Sequence, residues 1–347
     1  MTSTVTPTVT PTSTPTSTPT STATMRAIVQ DRYGSADVLR PADVPLPTTV
    51  RSDEVLVRVH AAGLDRGTWH LMTGTPYAVR LVTGLRRPRQ PIPGLDLAGT
   101  VVGIGADVTR FSPGDEVYGI GRGSFAQYAV AKEGKLALKP SRLTHEQAAT
   151  VPVSAITALQ AVVDLAGVRR GQRVLVTGAS GGVGSFAVQL AVAAGAEVTG
   201  VSSAAKADLV RSLGAGEVLD YATDDLASVA GRYDVIIDIA GNTSLSRLRR
   251  ALTPTGTAVL VGGEGAGRLT GMSRQLRGLV VSLFSRQRLT LRVPKESSAD
   301  LDRLTAFIDA GEVTPSVGAT YPLADAADAM RDLVAGRIRG KAAIATA

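Results

Sequence analysis

The fold is decided by residues 173–195, which read RVLVTGASGGVGSFAVQLAVAAG. Residues 174–176 form a short apolar run of the kind that is buried in a parallel sheet. Closely spaced glycines follow, which let a backbone turn tightly and approach a ligand: Gly178, Gly181, Gly182 and Gly184. Apolar residues then recur with helical spacing over 186–194, and Gly195 suits the end of a helix. The stretch predicts a buried strand, a glycine turn and a helix.

This strand, turn and helix together predict an anion-binding site. Backbone N–H groups of the turn and the positive end of the helix dipole face the same point, where a phosphate is stabilised. The arrangement is typical of dinucleotide-binding proteins, although the glycines are spaced differently from the usual G-x-G-x-x-G. The alternative is a tight turn in an ordinary α/β protein. We favour dinucleotide binding because strand-like and helical segments continue to alternate after the turn.

Composition limits the classes of protein to which the chain can belong. It has 347 residues, enough for two domains, and 44% of them are hydrophobic. The absence of cysteine excludes disulfides and thiolate metal sites. No apolar run approaches the roughly 20 residues that span a bilayer. The net charge of +7 suits a phosphate-rich cofactor as well as nucleic acid. We expect a cytoplasmic protein with no membrane or nucleic-acid partner, and a homodimer remains open.

The first 150 residues divide into two parts. Residues 1–24 repeat Thr, Ser and Pro without a charged side chain, so we expect a disordered tail, with a glycosylated or wall-spanning stalk as the alternative. Residues 25–150 contain short apolar strands separated by Pro- and Gly-rich turns, such as PIPGLDLAG at 91–99. This second pattern predicts a mostly β domain.

The rest of the chain predicts an α/β domain and then a return to the first domain. Strand-like and helical segments alternate over residues 151–295, which favours a parallel sheet covered by helices on both faces. Residues 289–293 are a candidate sixth strand of that sheet. Residues 296–347 contain two predicted helices and two predicted strands, which we assign to the β domain. The β domain is then discontinuous in sequence.

Several longer motifs resemble those of one family. They are HAAGLDRGTWHLMTG (60–74), PIPGLDLAGTVVGIGADVTRFSPGDEVYG (91–119), AATVPVSAITAL (148–159), VLVTGASGGVG (174–184), VRSLGAGEVLDY (210–221) and RGKAAI (339–344). With them, nearly everything after Met25 resembles the medium-chain dehydrogenase/reductase superfamily, in its zinc-free, quinone-oxidoreductase-like branch. The resemblance implies an α/β protein with a GroES-like β domain, a Rossmann domain built on a doubly wound parallel sheet, and an active site in the cleft between them.

The resemblance also indicates where zinc would be bound, and this chain lacks the ligands. Zinc-dependent members take a Cys, a His and a third ligand from positions that correspond here to Asp65, Leu95 and Val153. Leucine and valine cannot ligate a metal, and Asp65 alone cannot hold one. The four-cysteine structural zinc lobe of such members is also absent. We therefore predict no metal site.

Losing zinc changes which reactions are easy. A metal ion polarises a carbonyl strongly, so interconverting simple alcohols and ketones becomes harder without one. Reducing a quinone or an α,β-unsaturated carbonyl is easier, since hydrogen bonds can stabilise a phenolate or enolate. We predict a zinc-independent, NADPH-dependent oxidoreductase for such substrates, resembling an enoyl reductase. The alternatives are an NAD(P)-dependent alcohol or aldehyde dehydrogenase, and a cofactor-binding regulatory or nucleic-acid-binding protein without turnover.

The end of the second Rossmann strand bears on the choice between NADH and NADPH. NAD-specific folds carry an acidic residue there, which binds the ribose 2′-hydroxyl. Here Ser202 and Ser203 occupy that end and Lys206 follows, so we predict NADPH, with a solvated helix-start lysine as the alternative for Lys206. The resemblance adds Tyr221 as a phosphate neighbour. The predicted cofactor-binding residues are Thr157, Gly178, Ser180, Gly181, Gly182, Val183, Gly184, Ser202, Ser203, Lys206, Tyr221, Gly241 and Gly262.

The candidate catalytic residues are Asp65, Trp69 and His70, on the segment that lines the cleft in family members. A histidine titrates near neutral pH, so His70 can donate a proton to a product enolate. The equal alternative is a structural, hydrogen-bonding histidine. We interpret two sets of arginines as solvated surface, with an anionic substrate group or nucleic acid as the alternative for the second set: Arg247, Arg249 and Arg250, and Arg274, Arg277, Arg286, Arg288 and Arg292.

Overall fold

Two six-stranded sheets form the framework of the computed structural model, which describes residues 23–346 except residues 49, 226–228, 263–272 and 292–294. The predicted tail therefore lies almost entirely outside the described residues. A separate two-stranded sheet joins β1 (Thr24–Val29) to β2 (Arg40–Pro45). In the described part of the chain, no helix is long and apolar enough to cross a membrane.

The first six-stranded sheet takes its strands from both ends of the chain. In spatial order they are β13 (Val317–Pro322), β14 (Lys341–Ala345), β3 (Glu54–Leu64), β4 (Asp96–Ile104), β5 (Glu116–Arg122) and β6 (Tyr128–Leu138). Strands β13 and β14 are parallel and the other neighbours antiparallel, and β6 also pairs with β3. Because Ala342 lies opposite Leu64, residues near the end of the chain complete a sheet that begins at Glu54.

Short helices flank this sheet. They are α1 (Arg66–Thr73), α2 (Arg80–Thr83), α3 (His145–Ala149), α4 (Pro152–Leu159), α9 (Ser298–Asp309) and α10 (Ala326–Val334). Asp65 is the N-cap of helix α1, because its Oδ1 accepts a hydrogen bond from the backbone N–H of Thr68 at 2.7 Å. It ends at Gly74, whose φ of +61° suits a glycine. Helix α9 packs against β6 and α4.

The second six-stranded sheet is wholly parallel. Its strands, in spatial order, are β12 (Arg288–Leu291), β11 (Leu252–Leu260), β10 (Tyr233–Asp238), β7 (Arg173–Thr177), β8 (Glu197–Ser202) and β9 (Glu217–Asp220). Its helices are α5 (Gly182–Ala193), α6 (Ala207–Ser212), α7 (Leu245–Ala251) and α8 (Ser273–Leu283). The predicted sixth strand is β12; residues 292 and 293 of that prediction lie outside the described residues. The predicted α/β fold, with its GroES-like and Rossmann domains, is confirmed.

The strand order reverses at β7. From β7 the chain builds outward through β8 and β9, and then returns to add β10, β11 and β12 on the other side. The apolar runs on either side of the glycine turn are buried, with Val174 and Val176 on β7 and Phe186 on α5 all fully inaccessible. Burial of these side chains fixes the turn against the sheet at the reversal point, where open α/β sheets bind their ligands.

Candidate functional site

The glycine turn between β7 and α5 presents a bare backbone surface. Gly178 has a φ of +67°, a left-handed conformation that side chains disfavour. A Cβ on Gly184 would lie 2.0 Å from the carbonyl oxygen of Gly178, so only glycine allows the helix to approach the turn this closely. Gly181 precedes α5 and offers no side chain to cap it. The first N–H groups of α5 are therefore suited to a phosphate group.

A cavity of about 1300 Å³, including its open mouth, lies beside this turn. It is at the carboxyl ends of β7, β8 and β10, where the strand order reverses. Its described lining residues are Thr177, Gly178, Ser180, Val201, Ser202, Leu219, Tyr221, Ala222, Thr223, Asp224, Asp225, Ala240, Asn242, Thr243 and Arg247. The structure thus brings together four predicted cofactor-binding residues: Gly178, Ser180, Ser202 and Tyr221.

The other predicted cofactor-binding residues are not in the described lining of this cavity. The turn and the start of α5 contain Gly181, Gly182, Val183 and Gly184. Thr157 lies on α4, and its hydroxyl donates to the carbonyl of Val153 at 2.6 Å. Gly241 has a φ of +71°, and a Cβ on Gly262 would lie 1.9 Å from the carbonyl oxygen of Ile239. Glycine at these two positions lets the segments after β10 and β11 approach each other closely.

Lys206 is held by the C-terminal part of the chain. Its Nζ donates to the carbonyl oxygens of Gly336 and Ile338, each at 2.7 Å. Burial lowers the pKa of this ammonium group. Neither Lys206 nor Ser203 is in the described lining of the cavity. Lys206 is therefore not a freely solvated lysine, and because an ammonium carries three donors, it keeps one N–H for a further acceptor.

The solvated-surface interpretation is wrong for Arg274, whose side chain is only 13% exposed. Arg247 is exposed as predicted, and it also lines the cavity. Nη2 of Arg274 lies 2.6 Å from Oδ2 of Asp238, which is fully buried and whose Oδ1 accepts from the Thr177 hydroxyl at 2.8 Å. Burial raises the pKa of Asp238, and a buried carboxylate needs a cation beside it. An acid that ends an apolar strand is the only sign of this pair in the sequence.

Helix α1 carries the predicted catalytic residues, and each has a local partner. Asp65 caps the helix. Nδ1 of His70 lies 2.6 Å from the carbonyl oxygen of Thr75, so in the neutral ring the proton is on Nδ1 and Nε2 is the second hydrogen-bonding position. The rings of Trp69 and His70 lie edge to face, 4.8 Å apart. Trp69 also packs against the apolar cluster that includes Met72.

Beside α1, a carboxyl pair and a lysine are buried together. Asp96 is fully buried, and burial and the neighbouring Asp65 carboxylate raise its pKa well above the ordinary value. Lys341 is only 2% exposed, and its Nζ donates to the carbonyl of Leu64 at 3.0 Å and to the hydroxyl of Ser154 at 2.9 Å. The Asp96 carboxyl therefore holds its proton more tightly than an ordinary aspartic acid, and the positive charge of Lys341 opposes that shift.

The side chains at the predicted zinc-ligand positions do not fit a zinc ion. Leu95 and Val153 have no ligating atom, and the backbone N–H of Val153 donates to Oδ1 of Asp96 at 3.1 Å. Oδ1 of Asp65 already accepts the cap hydrogen bond of α1. Within the described residues, no three His, Asp or Glu side chains are grouped closely enough to hold a metal.

A second and more apolar cavity, of about 670 Å³ with its mouth, lies against α1. Its described lining residues are Gln30, Leu71, Met72, Val82, Thr83, Pro88, Arg89, Gln90, Ile92, Pro93, Gly94, Leu95, Arg122 and Gly123. An apolar surface with a few polar groups suits a small organic molecule. Neither this cavity nor the one beside the glycine turn has Asp65, Trp69 or His70 in its described lining.

Comparisons with known proteins agree with this architecture. Residues 51–141 match the family model for the alcohol dehydrogenase GroES-like domain, and residues 213–344 match the model for a zinc-binding dehydrogenase. The mouse NAD(P)H oxidoreductase RTN4IP1, mitochondrial, is 31% identical over 92% of this chain and 89% of its own length. The spinach chloroplastic quinone-oxidoreductase homolog is 32% identical over 91% of this chain and 97% of its own length.

A solved structure shows the same likeness in three dimensions. The quinone oxidoreductase from Coxiella burnetii superposes with a TM-score of 0.82 at 28% identity, over 94% of this chain and all of that one. The family models, the relatives and this structure all carry the names of oxidoreductases or dehydrogenases. The chain belongs to the medium-chain dehydrogenase/reductase superfamily and is an oxidoreductase of its quinone-oxidoreductase-like branch.

Proposed function

We propose that this protein is a zinc-independent, NADPH-dependent reductase of quinones or α,β-unsaturated carbonyl compounds. The observation that carries the proposal is the presence of two cavities of different character. One is cradled by a glycine turn at the reversal point of a parallel sheet, and the other is apolar and lies beside positions without metal ligands. NADPH, when bound, supplies the hydride. The chain itself binds and orients the cofactor and the substrate and supplies the proton to the product.

The groups around the first cavity favour a phosphate-rich cofactor. Arg247 lines it, and the end of β8 carries Ser202 instead of a carboxylate. Lys206 retains an N–H donor close to that strand end, and Tyr221, which is 69% exposed, lines the cavity. The carboxylate of Asp224 also lines the cavity but accepts a backbone N–H at 2.7 Å, which partly satisfies its charge. These features support a 2′-phosphate near β8, and hence NADPH over NADH.

The second cavity supports a substrate that needs no metal. A carbonyl group there meets Leu95 at the place where zinc-dependent relatives carry a histidine ligand. Charge that develops on the substrate must then be spread over a conjugated system and stabilised by hydrogen bonds. Quinones and α,β-unsaturated carbonyls meet that requirement, whereas simple ketones do not.

We further propose that His70 returns the proton to the product enolate. The hydrogen bond from Nδ1 to the carbonyl of Thr75 fixes the ring, so Nε2 is the nitrogen that exchanges a proton. His70 lies on the same helix as Leu71 and Met72, which line the apolar cavity. Reduction of a quinone depends less on this donor, because its anionic product is already stabilised.

The homodimer left open by the sequence is proposed to form at the outer edge of the parallel sheet. Among the described residues, strand β12 is the last strand on that side. The adjacent helix α8 and the residue after it expose several large apolar side chains: Leu276, Val280, Leu283 and Phe284. A second copy related by a two-fold axis would cover this face. Sedimentation velocity of the wild type and of Leu283→Ser with Phe284→Ser tests this, and a wild-type monomer at micromolar concentration would contradict it.

The test of the proposed function is a survey of turnover by the purified protein. NADPH oxidation is followed with a quinone, an enone and an aldehyde, and alcohol oxidation is followed with NADP+, each with and without a chelator. Fast quinone or enone reduction that resists the chelator supports the proposal. Alcohol oxidation without quinone or enone reduction would favour a dehydrogenase instead. Tight NADPH binding with no turnover would favour a cofactor-binding regulatory protein.

A further inference from the structure

An apolar and basic segment lies at the mouth of the second cavity. Residues 77–90, called here the 77–90 segment, contain no acidic residue. Its most exposed apolar side chains, at 71%, 77% and 68%, are Leu81, Val82 and Leu85. Its exposed arginines, none of which pairs with an acid in the described part of the chain, are Arg86, Arg87 and Arg89. The segment therefore exposes apolar and cationic side chains next to each other.

The inner side of the 77–90 segment is fixed to the protein. The hydroxyl of Tyr33 donates to the carbonyl of Gly84 at 2.6 Å. The guanidinium group of Arg80 donates from Nε to the carbonyl of Gly74 at 3.0 Å, and its carbon lies 4.6 Å from the centre of the Tyr33 ring. These contacts hold the backbone in place while Leu81 and Leu85 remain in solvent. Such an exposed apolar patch on a fixed segment marks an interaction surface.

We propose that the 77–90 segment docks on the surface of an anionic lipid bilayer. Leu81, Val82 and Leu85 would enter the headgroup region, and the arginines beside them would pair with lipid phosphates. Arginine suits this role because its planar group binds phosphate through two hydrogen bonds. Asp31 and Asp43 line the adjoining groove, but neither forms an ion pair with these arginines.

Nucleic acid fits this surface less well. Single-stranded nucleic acid is bound by aromatic rings on which the bases stack, and the three most exposed apolar side chains of the segment are aliphatic. Its only aromatic side chain, Tyr77, is covered by the guanidinium group of Arg80, 4.9 Å from the ring centre. Aliphatic and cationic groups side by side match a bilayer interface better than a polynucleotide.

Docking in this way would turn the second cavity toward the lipid. Val82, Thr83, Pro88 and Arg89 belong both to the 77–90 segment and to the lining of that cavity. A quinone dissolved in the bilayer would then reach the cavity without crossing water; this consequence rests on the proposed function. The sequence-based expectation is that there is no membrane partner, because no apolar run is long enough to span a bilayer. Surface docking departs from it and needs no such segment.

Vesicle co-sedimentation tests the proposal without NADPH or quinone present. The wild type should bind phosphatidylcholine vesicles that contain phosphatidylglycerol, bind phosphatidylcholine alone much more weakly, and be released by high salt. The double variant Arg86→Gln and Arg87→Gln should bind these vesicles about tenfold more weakly, or weaker still. Leu81→Ser with Leu85→Ser should weaken it comparably while keeping the salt dependence. None of these four residues is in the described lining of either cavity, so reduction of a water-soluble quinone should be unchanged.

The matched control removes the same charge from another exposed pair. Arg169→Gln with Arg170→Gln lies in the loop before β7 and should leave vesicle binding intact. Equal loss in the control, or no binding of the wild type to the anionic vesicles, would overturn the proposal. So would binding to nucleic acid that depends on Arg86 and Arg87 in the absence of vesicle binding. Because no substrate is present, a failure here leaves the proposed function standing, and vesicle binding by a protein that reduces nothing overturns only the proposed function.

Discussion

The glycine turn and helix α1 offer two different kinds of site on one molecule. The turn acts through its backbone: Gly178 and Gly184 clear space, and the first N–H groups of α5 are suited to an anion. Helix α1 is proposed to act through side chains, and Asp65 and His70 each form a hydrogen bond with a neighbour. A site formed by the backbone is determined by the local sequence, because it depends on glycines at particular positions. A side-chain site depends on partners that the fold supplies, and this difference can be tested by substitution.

The largest effect, on cofactor affinity, is expected when a side chain is added to the glycine turn. In Gly184→Ala the new Cβ collides with the carbonyl of Gly178, which belongs to the backbone and cannot move aside cheaply. We expect NADPH affinity to fall by about a hundredfold or more, equal to roughly 3 kcal/mol, measured by fluorescence titration. Gly134→Ala, whose Cβ would meet nothing within 4 Å, is the control and should bind normally. Wild-type affinity in Gly184→Ala would break the comparison, because the turn would then tolerate a side chain.

The next effect concerns a side chain beside the backbone site. Lys206→Ala should raise the KM for NADPH about tenfold and leave that for NADH almost unchanged, because the proposed contact that it removes is a charge-assisted hydrogen bond to the 2′-phosphate. Lys206 also holds Gly336 and Ile338, so the control is Asp208→Asn, which loosens the same C-terminal segment through the Arg339 ion pair. The same selectivity change in Asp208→Asn would mean that Lys206 acts only by holding that segment.

A smaller effect is expected on α1. His70→Phe should lower kcat for an enone by about tenfold, with water as a partial substitute donor, and affect a quinone less. His70→Asn keeps a donor for the carbonyl of Thr75 but has no proton to release, so it should be as slow as the phenylalanine variant. The measurement is the steady-state rate of each variant and of the wild type with both substrates at saturating NADPH. Recovery of the enone rate in His70→Asn would show that the ring only supports the Thr75 backbone.

The smallest effect is on stability and follows from the buried carboxyl pair. Because the pKa of Asp96 is raised in the folded state, the folded protein binds this proton more tightly than the unfolded chain. Wild-type stability relative to Asp96→Asn should therefore fall as the pH rises from about 4 toward the folded pKa, by about 1 kcal/mol per pH unit. Urea unfolding at several pH values measures it. A constant difference would show that the folded protein does not hold the Asp96 proton more tightly than the unfolded chain does.

The parts of this molecule that could be predicted are those with local causes. The glycine turn, the parallel sheet around it and the cap of α1 follow from residues that are neighbours in sequence, because backbone conformation and strand burial are set over short spans. That four of the predicted cofactor-binding residues line one cavity follows for the same reason, since the ends of parallel strands meet at one edge of the sheet.

The parts that could not be predicted depend on long-range partners. Lys206 finds its carbonyl acceptors 130 and 132 residues away, and Lys341 reaches back 277 residues to Leu64. Arg274 resembles any surface arginine until the fold places it beside the buried Asp238. A long charged side chain can either be solvated at the surface or be paired inside the protein. Composition and periodicity therefore say little about which charged side chains will be paired.

The placement of β14 between β13 and β3 has a consequence for the order of folding during synthesis. Every strand of the parallel sheet has left the ribosome once Leu291 has emerged, and that domain can begin to fold. The sheet that contains β3 must wait for residues 341–345, although most of its strands are made first. Until then the edge of β3 next to Ala61–Leu64 has no partner and is open to pairing with another nascent chain. The part of the protein translated first is thus completed last.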